Sequence, residues 1–134
     1  VVATRTIPLS PYMAHMLATL PRINEFEFAS ASKTGRIADV RAAHSKALLS
    51  AGIDHLTLHG LRRSFSLLGE AGGAPAGAIA QVMGHKPSAT AEGYRPRSTD
   101  ALRPFLEHIE AFILEQAGVT FDRAIEPGKL ALVG

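Results

Sequence analysis

The sequence predicts a mainly α-helical domain with a small β element, an α+β class, and three observations carry that prediction. Apolar residues recur at helical spacing in three long segments: Val40, Ala43, Ala47 and Leu48; Leu61, Phe65 and Leu68; and Leu102, Phe105, Ile109, Phe112 and Ile113. Glycines and prolines punctuate the ends of the apolar segments, as at Pro11, Pro21, Gly52 and Gly84. Only two short stretches, one before Leu9 and one around Phe26, alternate in the manner of a strand.

Taken in order, residues 1–9 read as the end of a strand, with Arg5-Thr6-Ile7-Pro8-Leu9 alternating. Ser10 and Pro11 then supply an N-cap and a first helical residue whose missing N–H costs nothing. Met13, Met16, Leu17 and Leu20 line one face of that helix, and Pro21 ends it. Glu25-Phe26-Glu27-Phe28 alternates as a second short strand, and residues 32–36 form a loop turning at Gly35. Residues 38–51 form a helix with Gly52 in the left-handed closing position. Another helix runs from about His59 to Ala71. The Gly/Ala/Pro-rich run 72–77 breaks the chain. A short helix then passes through Ile79 and Val82 to Met83, where Gly84 closes it, and a further one spans Ser88 to Tyr94. The last helix covers about Thr99 to Ala117. The chain thus divides into a strand end (1–9), a helical core (10–97), and a C-terminal helix with its tail (98–134). No repeat or long linker splits its 134 residues.

With 46% hydrophobic and 19% charged residues the chain is too apolar to stay disordered. The absence of cysteine excludes a disulfide framework and a thiolate metal site. No apolar run reaches membrane-spanning length and no signal peptide is read, so a cytoplasmic protein without a membrane partner is expected. A net charge of +2 names no partner, but its distribution is uneven. The middle holds Arg62, Arg63, Lys86, Arg95 and Arg97 against Glu70 and Glu92, whereas acidic residues outnumber basic ones beyond Ser98. A basic segment suits a polyanion, and a solvated surface explains the same excess.

His59 and Arg62 lie three apart at the start of a helix, hence on one face. Helix N-terminal N–H groups favour an anion, and an arginine fork beside them clamps phosphate. An exposed amphipathic helix carries the same pair with no such role. Gly84-His85-Lys86 follows the next helix, and the glycine permits a sharp turn that aims His85 into a cleft. Tyr94 lies nine residues on, in a polar segment. Its hydroxyl, with a pKa near ~10, needs cationic neighbours or a base to act as a nucleophile, and otherwise packs at an edge with a wet hydroxyl.

In this order the motifs His59-Gly-Leu-Arg62-Arg-Ser-Phe65 and Gln81-Val-Met-Gly84-His85-Lys86-Pro-Ser-Ala-Thr90-Ala-Glu-Gly-Tyr94 closely resemble the signature of the tyrosine recombinases, or phage integrases. Arg5-Thr-Ile-Pro-Leu-Ser10 is similar to the strand-to-helix step of the same family. The resemblance covers most of residues 5–105 and implies the C-terminal half of a DNA breaking-rejoining catalytic domain. It implies site-specific recombination of double-stranded DNA attachment sites without cofactor or metal. Tyr94 is then the nucleophile that forms a 3′-phosphotyrosyl link, Arg62 the group that stabilises the transition state, His59 a phosphate ligand and proton acceptor, and His85 a ligand of a non-bridging oxygen. Arg63, Lys86, Arg95 and Arg97 are the expected DNA contacts.

The family also uses a first Arg and a hairpin Lys, neither of which has a matching position here. Both are expected before Val1, and the isolated chain is expected to be almost inactive. Lys33 in Lys33-Thr34-Gly35-Arg36 imitates the hairpin Lys but falls on the wrong side of the Ser10 helix. The C-terminal segment of the family docks on a neighbouring protomer or on its own, so a homo-oligomer, a tetramer on DNA, is implied. In bacteria the protein would work at the nucleoid. A metal enzyme built on His55, His59 and His85 is the rival reading, disfavoured because Arg62 and Arg63 beside it repel a cation. A DNA-binding or assembly module without catalysis is the other.

Overall fold

The computed structural model describes residues 5–85 and 96–122. Five helices form among them: α1 (Pro11–Ala18), α2 (Arg41–Ser50), α3 (Leu58–Ala71), α4 (Ala76–Met83) and α5 (Thr99–Gln116). Their ends follow local chemistry. Thr57 Oγ1 accepts the Gly60 N–H at 2.9 Å and opens α3, and Ser98 Oγ accepts the Ala101 N–H at 3.2 Å and opens α5. Asp39 accepts the Arg41 N–H at 2.9 Å before α2. The Arg41 guanidinium, and then this N–H, hold the Asp39 carboxyl below its ordinary value. Gly52 and Gly84 close α2 and α4 with φ of +66° and +70°. At the second, the Gly84 N–H bonds the Gln81 carbonyl at 3.0 Å and the His85 N–H bonds the Ala80 carbonyl at 2.9 Å, a Schellman motif.

The core is made by α3, α4 and α5. Ala74, Ile79, Met83 and Ile109 form one buried cluster, and Ala78, Val82, Leu102 and Leu106 form a second. Phe65 of α3 packs against both. Gly69, the buried residue of α3, lets the three helices converge. A Cβ there would stand 3.0 Å from Ile79 Cδ1 and 3.4 Å from Ile109 Cδ1. Leu106 is a core residue that the expected α5 stripe omits, because the buried face also takes the i+4 neighbour of Leu102.

The N-terminal part packs differently from the sequence expectation. No residue of α1 or α2 is buried, and Met13 and Met16, expected on an inward face, are 48% and 46% exposed. Ser10 does not cap α1 through its side chain. Its hydroxyl donates to Glu110 of α5, and the Glu110 carboxylate accepts the Tyr12 and Met13 N–H groups at 2.8 and 3.1 Å. A residue about a hundred positions away thus supplies the cap and faces the positive end of α1. Tyr12 and His15 also pack on the ring of Phe121.

The β element is corrected. Neither the strand expected to end at Leu9 nor the one expected over Glu25–Phe28 forms among the described residues; the pairing there is one antiparallel bridge, Ala29 with Arg36. A strand needs a neighbour for its backbone groups, and no described segment offers one. The Glu25–Phe28 stretch turns instead, with Asn24 Oδ1 accepting the Phe26 N–H at 2.9 Å and Asn24 Nδ2 donating to the Gly35 carbonyl at 2.7 Å. The short helix expected over Ser88–Tyr94 lies outside the described residues, as does the tail from Arg123. No helix among the described residues is long and apolar enough to cross a membrane.

Two substitutions test this packing by urea denaturation. Glu110→Ala is expected to lose about 1–2 kcal/mol, the value of a helix cap. Gly69→Leu is expected to lose about 1–3 kcal/mol or more through overpacking, against the smaller gain in helix propensity. A Glu110→Ala protein as stable as its parent would show that α1 is held by other contacts.

Candidate phosphate-binding site

Helix α3 presents His59 in its first turn and Arg62 one turn further on. Gly60 between them has a local reason: a Cβ there would stand 2.8 Å from Leu56 Cδ1, so the glycine lets Leu56 close against the start of the helix. His59 and Arg63 are exposed, whereas Arg62 is half-buried. The Arg62 guanidinium crosses to α4, where its Nη2 donates to the Met83 carbonyl. A cation there also complements the negative C-terminal end of α4. This is one bond of a fork with five donors, and among the described residues the others are not taken up.

The Met83 carbonyl immediately precedes Gly84-His85. The structure therefore brings Arg62 to the turn that carries His85, although the two are far apart in sequence. His85 is exposed, and its backbone is fixed by the bond to Ala80. Gly84 fits its place by conformation, and the Arg5 side chain lies over it. The Gly84 φ of +70° disfavours other residues, and the space of a Cβ is already filled by the Arg5 guanidinium, whose Nη2 lies 3.2 Å from that point.

Tyr94, Lys86 and Arg95 lie outside the described residues. The stretch that contains them leaves α4 at His85 and rejoins the described chain at Pro96. Its return is fastened by Gln81, a residue that sequence reasoning did not single out. Gln81 Oε1 accepts the Arg97 N–H at 2.8 Å and Gln81 Nε2 donates to the Arg97 carbonyl at 2.6 Å. Both ends are thus tied to the last turn of α4. The Arg97 side chain turns to the other end of that helix: its Cζ lies 5.4 Å from the Phe105 ring centroid, and its Nη1 lies 3.3 Å from where a Gly77 Cβ would stand. Gly77 and Met83 are about 9 Å apart along α4 at 1.5 Å per residue. Arg97 is therefore not gathered at the Arg62 corner.

Among the described residues no carboxylate is paired with the cations at this corner. The ion pairs among the described residues are Arg22 with Glu27, Arg41 with Asp39, and Arg103 with Asp100, all elsewhere. His55 faces a different surface groove, with Leu48, Leu49 and Asp54, away from the role of a third ligand beside His59. Among the described residues no group of three or more His, Cys, Asp or Glu residues is placed to hold a metal. A guanidinium in hydrogen-bond contact with a helix end, with an imidazole turn beside it and no carboxylate of the described residues paired to either, is an arrangement that can take an oxyanion.

Comparison with known proteins places the chain with the phage integrase, or tyrosine recombinase, family, as the motif resemblance implied. Prophage integrase IntF of Escherichia coli (strain K12) is 45% identical to it over 130 residues, covering 91% of this chain. The chain spans 28% of the length of that relative. No family model matches the chain, and no solved structure matches it.

Gln81→Ala is expected to lower stability by about 1–2 kcal/mol, since it removes two hydrogen bonds and leaves Arg97 main-chain groups without partners. Gln81→Glu keeps the acceptor for the Arg97 N–H, loses the donor, and should fall between Gln81→Ala and the parent in denaturation midpoint. Equal midpoints for all three proteins would show that the anchor contributes nothing.

Proposed function

We propose that this chain carries the second part of the active site of a site-specific DNA recombinase that integrates or exchanges DNA through a 3′-phosphotyrosyl intermediate. The observation that carries the reading is the docking of Arg62 on the Met83 carbonyl, which joins the His59–Arg62 pair of α3 to the Gly84–His85 turn of α4. The Arg62 contact links the two separated motifs, which supports reading them as one site. The order His59, Arg62, His85, Tyr94 and the likeness to a prophage integrase support the same reading.

In the reaction the Tyr94 hydroxyl oxygen attacks the scissile phosphorus. The bond from phosphorus to the 5′-oxygen breaks, leaving a 3′-phosphotyrosyl link and a free 5′-hydroxyl. His59 hydrogen-bonds the phosphate and accepts the tyrosine proton. Arg62 uses its free N–H groups to stabilise charge on the pentavalent transition state, and His85 binds a non-bridging oxygen. Attack by a different 5′-hydroxyl reverses the step and rejoins the strands, with no metal or nucleotide consumed. Arg63, Lys86, Arg95 and Arg97 contact flanking phosphates, with the Arg97 side chain beside Gly77 near the start of α4.

Only four of the six active-site residues of the family have matching positions in this chain, so the isolated chain binds DNA without cutting it. The two absent groups, an Arg and a Lys, carry charge stabilisation and proton donation whose loss costs orders of magnitude. Assembly on DNA as a homo-oligomer, a tetramer, runs through the segment beyond α5. The face of α5 that carries Leu102, Leu106 and Ile109 is already buried on its own core. The protein works on chromosomal DNA in the bacterial cytoplasm.

The test grafts this chain in place of the matching segment of Prophage integrase IntF and presents a nicked attachment-site DNA that traps the covalent intermediate. The graft should form a protein–DNA adduct that Tyr94→Phe abolishes and Arg62→Ala slows by roughly 10²–10³-fold. The ungrafted chain should form none. A graft that binds the DNA and forms no adduct, beside a control integrase that does, would overturn the catalytic reading.

A further inference from the structure

Arg5 is described by no motif of the site, yet its side chain reaches it. Its guanidinium occupies the space that any side chain at residue 84 would need, with Nη1 and Cζ in that space and Nη2 at its edge, 3.2 Å away. This puts Arg5 on the turn between the Met83 carbonyl, which holds Arg62, and the His85 backbone. Arg5 is exposed and makes no hydrogen bond or ion pair to any described residue. Two guanidinium groups reach one short turn, neither paired with a carboxylate among the described residues, and like charges so placed repel each other at a cost that a bound anion removes. We infer that Arg5 is a further phosphate-binding residue, which with Arg62 and His85 forms a three-point cradle for one DNA phosphodiester.

The chemistry limits what Arg5 does there. A guanidinium stays protonated, so Arg5 holds charge and hydrogen-bonds a non-bridging oxygen and does not act as the acid for the leaving 5′-oxygen. Gly84 acquires a second purpose, since a Cβ would push Arg5 off the turn as well as strain the backbone. The competing role for Arg5 is that of a strut, in which its planar group simply stacks on the Gly84 peptide and pins residues 5–9 to the α3–α4 corner.

The inference rests on the DNA reading above, and the experiment separates the two. Binding of a fluorescein-labelled double-stranded oligonucleotide is measured as a function of salt for the chain, Arg5→Gln and Arg62→Gln, each checked for parental helix content by circular dichroism. Glutamine keeps a planar hydrogen-bonding group and loses the charge, and parental helix content shows that the α3–α4 corner survives the change. Arg5→Gln is expected to flatten the slope of log K against log salt, by up to about 0.9 for a phosphate no longer neutralised, and to weaken binding roughly tenfold at low salt. Arg62→Gln should do the same. If Arg62→Gln flattens the slope and Arg5→Gln leaves slope and affinity unchanged, Arg5 is a strut and the inference is wrong. If the chain fails to bind the duplex, or neither variant alters the slope, the DNA reading itself fails and takes the inference with it.

Discussion

The close approach of three helices at Gly69 sets the rest of the molecule. With no side chain at that position, α3 lies against Ile79 of α4 and Ile109 of α5 at contact distance. From that point the α3 stripe runs back through Phe65 to Arg62, residues spaced by four and three and therefore on one face. On α4 the matching sequence runs forward from Ile79 through Val82 to Met83, and the two helices pair antiparallel across the short Gly72–Pro75 connection. The apolar contact at one end therefore delivers the polar contact at the other. If α3 and α4 were held apart by a methyl group at residue 69, the guanidinium of Arg62 would meet the end of α4 from a different distance.

That arrangement gives Arg62 two roles that physical chemistry makes compatible. The last turn of a helix leaves carbonyls without partners, and a cation there satisfies one of them. The same cation can still offer several N–H groups outward, because its fork is planar and carries five donors. A lysine would meet the carbonyl and have less left to offer in fixed geometry. Removing Arg62 therefore unsettles the α4 terminus and the anion site together, so substitutions that keep a donor while changing the charge are the informative ones.

Much of the helical fold was legible in the sequence, for local reasons. Gly52 and Gly84 mark helix ends because the left-handed position excludes most side chains, and that rule needs no knowledge of the fold. The α4 and α5 stripes were legible because most of their apolar residues do face the core. The failures share one cause, a partner distant in the chain. Ser10 looked like a cap because serine commonly is one, but Glu110 occupies that role from α5. Alternation before Leu9 and around Phe26 signalled strands, but a strand forms only where a second one is supplied. For the candidate site, the order His59, Arg62, His85 was readable as motif, whereas Gln81 and Arg5 were not, since their use depends on where other segments return.

The anchoring of the stretch that carries Tyr94 follows from the same dependence. Its two ends sit on consecutive bonding groups of one helical turn: the Ala80 carbonyl takes the His85 N–H, and the Gln81 amide takes both main-chain groups of Arg97. A loop whose ends are close loses little entropy on closure beyond that of ordering its own residues. Because the anchors belong to α4, any shift of that helix carries His85 and both ends of the Tyr94 stretch with it, while Arg62 follows through the Met83 carbonyl. Arg62, the His85 turn and the attachment of the Tyr94 stretch are thus referenced to one body, α4. If the proposed attack of Tyr94 on phosphorus is made along one line, a common reference of this kind keeps the cationic corner and the two anchors of the Tyr94 stretch in fixed relation.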